Sequence, residues 1–259
     1  MSEIDALIDK LCPNGTVYRA IAEIANISRG QVMSKDFLRD NAGEYPVYSS
    51  QTENNGMLGK ITTYMFDGEY LTWTTDGANA GTVFYRNGKF SVTNVCGVVD
   101  VTDDAVSTKY LFYALNRDAP QYVNKGMGNP KLMSNVMARI RIPLPPLPVQ
   151  QEIVRILDNF TELTAELTAE LTARRKQYEH YRDELLTFGD DVERKFVGDV
   201  CTLSAGGDVP KEKFSKERTE EYCVPIFSNG IGANALYGFT DIAKIKAPCV
   251  NVAARGTIG

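Results

Sequence analysis

The sequence predicts an α+β fold. A mixed sheet-and-loop domain comes first, then a long coiled-coil-forming helix, then an incomplete second copy of the domain. Three observations lead there. Short apolar runs punctuated by Gly, Asn and Asp fill residues 16–142. The proline run "IPLPPLP" (142–148) opens onto a stretch with one continuous helical seam. Residues beyond 189 then repeat the pattern of residues 21–77.

The elements follow in order. Ile4, Leu7, Ile8 and Leu11 fall on one helical face, and "PNG" (13–15) ends that short helix. Strand-like runs follow: "YPVYSS", "EYLTWTT", "GTVFYRNG", "KFSVTNVCGVV" and "ARIRIPL". "RNG" (86–88) stands between alternating runs and predicts a hairpin turn. "TKYLFYALN" (108–116) predicts the domain's main helix. Trp73, flanked by Leu and Thr, is expected in the core, and Cys96 as a buried small hydrophobe. These residues form a first domain, 1–148.

Prolines 143, 145, 146 and 148 forbid a continuing helix or central strand. Pro148 can open the next helix, where a missing N–H costs nothing. That helix is predicted over 149–188, a rod of roughly 60 Å. Its partner-facing positions are Ile153, Leu157, Phe160, Leu167, Leu171, Tyr178 and Leu185, with Tyr181 and Phe188 on the same spacing. Thr164 and Arg174 interrupt the seam. A rod this long outreaches a small domain, so a partner helix is expected to cover it. Inside it, "TELTAELTAELTARR" (161–175) holds three tandem Glu-Leu-Thr-Ala units. Glu162, Glu166 and Glu170 form a solvated stripe, and Glu170 is correctly placed to pair with Arg174.

Residues 189–259 read as a partial second domain. "IAEIANISRG" (21–30) matches "VGDVCTLSAG" (197–206) at a shift of 176. "PVYSS" (46–50) matches "PIFSN" (225–229) at a shift of 179, which also aligns Asn55 with Asn234, Gly59 with Gly238 and Gly77 with Gly256. The two shifts differ by one small insertion. The matched pattern runs to "AARGTIG", about half of the first domain. A domain, a rod and the same domain again make the rod a spacer between equivalent modules.

Composition narrows the function. Hydrophobic residues at 43% and charged residues at 24% suit a soluble globular protein. No apolar run approaches the ~18 residues of a membrane span, and the acidic N-terminus is not a secretory signal. The five scattered cysteines, without Cys-x-x-Cys, read as reduced thiols of a cytoplasmic protein. With one histidine, neither a zinc site nor a hydrolase triad is expected. There is no P-loop, so no nucleotide cofactor is expected. Asn129-Pro130 is followed by Lys131, which breaks the Asn-Pro-Pro-Tyr pattern of amino-methyltransferases. These features favour binding over catalysis. The net charge of −5, spread over all three segments, gives no overall basic footprint.

Three stretches carry a family resemblance. They are "LCPNGTVYRAIAEIANISRG" with its echo "VERKFVGDVCTLSAGG", the junction "IRIPLPPLPVQQEIVRILD", and "LTAELTAELTARRKQYEHYRDELL". Together they resemble the specificity subunit of a Type I restriction-modification system, with the second target recognition domain truncated. The resemblance implies a non-catalytic addressing subunit for double-stranded DNA. Each target recognition domain would read half of a bipartite site. The joining helices would pack as an antiparallel coiled coil. Methyltransferase (modification) subunits would dock there and methylate adenine, and a restriction subunit would add ATP-driven translocation and cleavage. The second conserved helix of the pattern is missing, so self-association through 149–188 is expected to supply the other half.

DNA binding needs cations and amides for phosphates and forked donors for base edges. The candidates are Arg29, Lys35, Lys60, Thr74, Asn79, Arg86, Lys125 and Lys131, with Thr75 and Asn94 as further short polar residues. "ISRGQ" (27–31) and "KGMGNPK" (125–131) are the expected groove-facing loops, since glycine lets backbone approach a phosphate. The competing reading is a coiled-coil protein-interaction adaptor that never touches DNA.

One unit of the repeat adds about 6 Å and about 40° to the rod. A base pair advances DNA by about 3.4 Å and about 35°. Deleting one Glu-Leu-Thr-Ala unit, in an assembly with two recognition domains, is expected to shorten the non-specific gap of the target by one or two base pairs. Mapping methylated adenines before and after the deletion checks this. Altered half-sites with an unchanged gap would defeat the ruler idea.

Overall fold

A computed structural model describes residues 3–126, 128–210, 212–230 and 232–253. The chain divides into two compact units, one reaching residue 182 and one starting at 183.

The first unit opens with α1 (Glu3–Leu11). Its hairpin-like closure is a two-stranded sheet that pairs β1 (Val17–Ala20) with β8 (Arg141–Leu144), so the two ends of the domain are stitched together. Between them lies a six-stranded sheet. Its strands are β2 (Ala25–Arg29), β3 (Ala42–Tyr48), β4 (Met57–Ile61), β5 (Phe66–Thr74), β6 (Val83–Val92) and β7 (Cys96–Val101). The spatial order is β2-β7-β5-β6-β3-β4. All pairings are antiparallel except β3 with β6. Three helices complete the unit before the rod: α2 (Lys35–Asp40), α3 (Thr108–Asp118) and α4 (Ser134–Met137). Ser34 and Ser107 cap α2 and α3 by accepting from Phe37 and Tyr110 N–H.

The main core forms where α3 lies on the sheet. Leu71, Trp73, Val83 and Val99 face Leu111, Leu115, Met137 and Ile140. Trp73 is fully buried, and its indole Nε1 donates to the Leu132 carbonyl at 3.0 Å. A second cluster joins Phe90, Val92, Cys96 and Val98 to the rings of Tyr48, Phe66 and Tyr70. Burial pushes the Cys96 thiol up to about 12, so it stays a neutral, small hydrophobe.

One local expectation is corrected. "RNG" is not a hairpin turn. Residues 86–88 run inside β6, with Gly88 opposite Gly68 of β5. Both glycines have positive φ, 95° and 136°. Paired glycines let the β5–β6 ribbon bend there without a Cβ penalty. The true connection between β5 and β6 is residues 75–82.

The long helix α5 spans Leu147–Leu186, starting and ending two residues before the predicted span. Pro148 sits in its first turn, as its fixed φ allows. The second unit contains α6 (Val197–Val200) and an antiparallel pair, β9 (Val224–Phe227) with β10 (Leu236–Thr240). This pair repeats β3–β4 residue by residue. Pro46↔Lys60, Val47↔Gly59 and Tyr48↔Met57 become Pro225↔Phe239, Ile226↔Gly238 and Phe227↔Leu236, each 179 residues on. Even the bulge recurs, at Leu58 and at Tyr237. Likewise α6 lies 176 residues after the 3-10 turn Ile21–Glu23. The proposed match of Gly77 with Gly256 lies outside the described residues.

Gly97 pairs with Trp73, and a Cβ there would sit 2.2 Å from the indole ring. Gly97→Ala is therefore expected to destabilise the first unit by about 1–3 kcal/mol, the usual overpacking range. A lowered urea midpoint with unchanged slope is the readout.

Candidate nucleic-acid interface

The loops around 29–31, 49–56, 75–82, 93–95 and 124–134 are joined by hydrogen bonds. Gln31 N–H donates to the Val92 carbonyl, and Asn94 N–H to that of Gln31. Thr75 N–H donates to Val95, Leu132 N–H to Thr75, and Gly77 N–H to Pro130. Asn124 and Lys131 exchange both backbone bonds, closing the 125–130 loop at its base. Met127 within it lies outside the described residues.

Four of the predicted contact residues sit on this network. Arg29 is half-buried at the end of β2; its Nε donates to Ser134 Oγ at 3.1 Å, which aims the guanidinium along the 133–134 segment. Asn79 is exposed, and its Nδ2 donates to Thr52 Oγ1 at 3.0 Å. Lys125 is exposed on the closed loop. Lys131 is also exposed but lies 3.5 Å from the Asp76 carboxylate. Lys35 and Lys60 are exposed too, on α2 and on the edge strand β4. Gly30 packs against β6, where a Cβ would overlap the Val92 carbonyl.

Burial corrects the candidates Thr74 and Arg86, and also the further residue Thr75, which is fully buried with its hydroxyl donating to the Val95 carbonyl at 2.8 Å. Thr74 is fully buried; its hydroxyl donates to the Asn79 carbonyl and accepts from Thr82 N–H. It shapes the 75–82 loop from beneath. Arg86 is 3% exposed, and its guanidinium stacks on the Tyr48 ring with 3.5 Å to the centroid. Neither presents its polar atoms to a surface ligand. The long side chain of Arg86 passes for a surface cation in sequence, because β6 looked like a hairpin arm. No group of His, Cys, Asp and Glu among the described residues has the arrangement of a metal site.

The rod has two parts. Its first three turns dock on the first unit. Gln150 is fully buried: its Oε1 accepts from Ser107 N–H at 2.9 Å, and its Nε2 donates to the Ala105 and Pro145 carbonyls at 2.8 Å each. Asp158 accepts from Lys109 Nζ at 2.7 Å and Tyr113 Oη at 2.6 Å. The Asp158 carboxyl is held below its usual range: some desolvation opposes this, but those two donors outweigh it. Ile153 packs on the main core, and Leu157 lines an apolar groove of about 510 Å³ with Ile8, Cys12, Tyr110 and Tyr113. These two expected partner-facing residues thus serve the helix's own unit. The reason is spacing: Gln150, Ile153, Val154, Leu157 and Asp158 share one face. The other predicted positions, Phe160, Leu167, Leu171, Tyr178 and Leu185, are each more than half exposed. Sequence reasoning missed Gln150; the only signal was an amide two residues after a proline run.

The tandem repeat also gains a physical reading. Thr164, Thr168 and Thr172 each donate a hydroxyl to the carbonyl four residues back, at 2.7–2.9 Å. Threonine hydroxyls are thereby satisfied within the helix, and the leucines 163, 167 and 171 remain available.

The chain was compared with known proteins. A family model described as the Type I restriction modification DNA specificity domain matches residues 13–174. A Mycoplasma pneumoniae protein described as a type I specificity subunit, S.MpnORF507P, is 42% identical over 244 residues, covering 92% of this chain and 67% of its own. A second from the same organism, the S.MpnORF289P N-terminus, is 50% identical over 174 residues, covering 64% of this chain and 93% of its own. Among solved structures, the S subunit of the Type-I restriction-modification system from M. genitalium superposes with a TM-score of 0.58 at 16% identity, covering 90% of this chain and 64% of that one. A chain of a type I R-M complex gives 0.53 at 18% identity, over 71% of this chain and 49% of that one. At such identities the solved structures speak for the fold, while the family match and the curated relatives speak for descent. With residues 13–174 matched and the hairpin repeated in its second unit, the chain belongs to the Type I restriction-modification DNA specificity family.

Proposed function

We propose that this chain is the DNA-addressing subunit of a Type I restriction-modification complex and carries no catalytic step itself. Its first unit reads one half of a bipartite site. The rod sets the spacing and provides the docking face for modification subunits, which methylate adenine, and the restriction subunit joins through them. The observation that carries this reading is the linked loop cluster bearing Arg29, Asn79, Lys125 and Lys131. Cations near glycine-containing backbone suit phosphates, and an amide fork suits a base edge. The scattered, unpaired thiols fit a cytoplasmic setting.

The exposed apolar face from Phe160 to Leu185 favours a helical partner. A second copy of the chain is one such partner, and a molar mass in solution equal to one chain would count against it. The same face also supports the adaptor reading, in which the protein binds only proteins.

The two readings part in a titration of the complex with modification subunits against duplex DNA between roughly 50 and 200 mM salt. DNA addressing predicts a steep fall of affinity with salt. Lys125→Ala is expected to reduce the slope by about one. Lys131→Ala is expected to reduce it less, because Asp76 already neutralises part of that charge. A complex that assembles but shows no salt slope would leave only the adaptor.

A further inference from the structure

We infer that the tip of the β3–β4 hairpin, residues 52–55, reads base edges in the half-site met by the first unit, and that buried Arg86 is the positioning residue that sets its shape. This rests on the DNA-addressing reading above.

The internal repeat supplies the first argument. The hairpin frame is the same in both units, down to the bulge. Ser49 N–H donates to the Gly56 carbonyl at 3.0 Å, and Ser228 N–H to Ala235 at 2.8 Å, 179 residues on. A four-residue turn follows in both, Glu53–Gly56 and Gly232–Ala235, but its backbone differs: Asn54 and Asn55 have positive φ, whereas the matching Ala233 and Asn234 do not. The side chains on this common frame differ. Glu53 and Asn54 become Gly232 and Ala233, and only Asn55 keeps its identity, as Asn234. One backbone frame carrying different tips is what two modules need in order to read different half-sequences.

The tip's chemistry supplies the second. Thr52, Glu53, Asn54 and Asn55 are all exposed, and none is a cation. A carboxylate repels phosphate but accepts from the amino group of cytosine, and an amide pairs with adenine. The tip therefore suits bases, leaving phosphates to the lysines elsewhere. It also joins the loop cluster directly, through Asn79 on Thr52.

Arg86 supplies the third. Among the described residues the titratable side chains acting on it are Tyr48 and Cys96, with no carboxylate, and burying a cation without one is costly. Its Nε donates to Thr72 Oγ1 at 3.1 Å, and its plane lies between Tyr48 and Phe84, with 3.5 and 4.5 Å to the ring centroids. Its Nη2 also donates to the Asn55 carbonyl at 2.8 Å. Asn54 and Asn55 are both left-handed, with φ of 48° and 55°. Asparagine tolerates that region better than most residues, but two in succession need holding. The guanidinium holds this backbone from beneath at the Asn55 carbonyl, and both asparagines are exposed.

The test uses the full chain co-expressed with its modification subunits in a host lacking adenine methylation. The probe is the host's genomic DNA, whose methylated adenines reveal the target sequence. Asn54→Gly and Asn55→Gly keep the left-handed backbone and remove the amides. Each is expected to relax one or two positions of a single half-site, by roughly 5- to 150-fold in discrimination. The spacing and the other half-site should not change. Arg86→Lys keeps the charge without the fork, and should relax the same half-site while the complex still assembles and melts as one species. A merely structural Arg86 would lower yield or melting temperature and leave the motif intact, which would overturn the positioning role. Glycine variants that reproduce the wild-type motif would overturn the tip reading alone. A wild-type complex that directs no methylation would overturn both it and DNA addressing.

Discussion

The buried amide of Gln150 governs how the rod is joined to the first unit. It satisfies the Ser107 N–H at the head of α3 and two carbonyls, one of them in the proline run. A fully buried amide left unpartnered costs about 1–3 kcal/mol, so these three bonds tie α5, α3 and the Pro145 turn into one unit. Asp158 repeats the attachment two turns later through Lys109 and Tyr113. Between them, Ile153 and Val154 pack on the core. The departure of the rod from the first unit is thus held by buried hydrogen bonds and core packing.

Beyond Asp158 the rod changes character. Its apolar residues are exposed, and several of its polar groups are served by the helix itself: Glu170 pairs with Arg174 at 3.5 Å, and each repeat threonine bonds back by four residues. Exposed ion pairs contribute little, and isolated helices gain most of their stability from a packed face. The leucine stripe is exposed along the same stretch that the tandem units build. Length and partner face are carried by one repeat.

The β3–β4 hairpin divides its residues between a repeated frame and a variable tip. Pro46, Gly59 and the bulged Leu58 hold register; their counterparts Pro225, Gly238 and Tyr237 do the same in the second unit. Close packing explains glycine at position 238, where a Cβ would come within 2.4 Å of the Phe214 ring; at position 59 a Cβ would meet Leu38 at an ordinary 3.7 Å. What the two hairpins share is register, and what they do not share is the tip.

Much of this was legible in the sequence. The prolines at 143–148 announced the rod, because a missing N–H and a fixed φ leave few choices. The 176 and 179 shifts announced a repeated frame, and the register confirms the second of them bond by bond. Trp73 and Cys96 declared themselves by their apolar setting. Tertiary structure alone decided three matters. It showed that "RNG" crosses a bent strand, since Gly88 meets Gly68 from a strand that local pattern cannot see. It moved Arg86 and Thr74 inside, because burial depends on which layers close over a residue. It assigned Ile153 and Leu157 to the rod's own domain, because a helix face is claimed by whatever packs on it first in space. Local sequence dictates backbone conformation and periodicity; which face is covered is settled only by contacts between residues far apart in the chain.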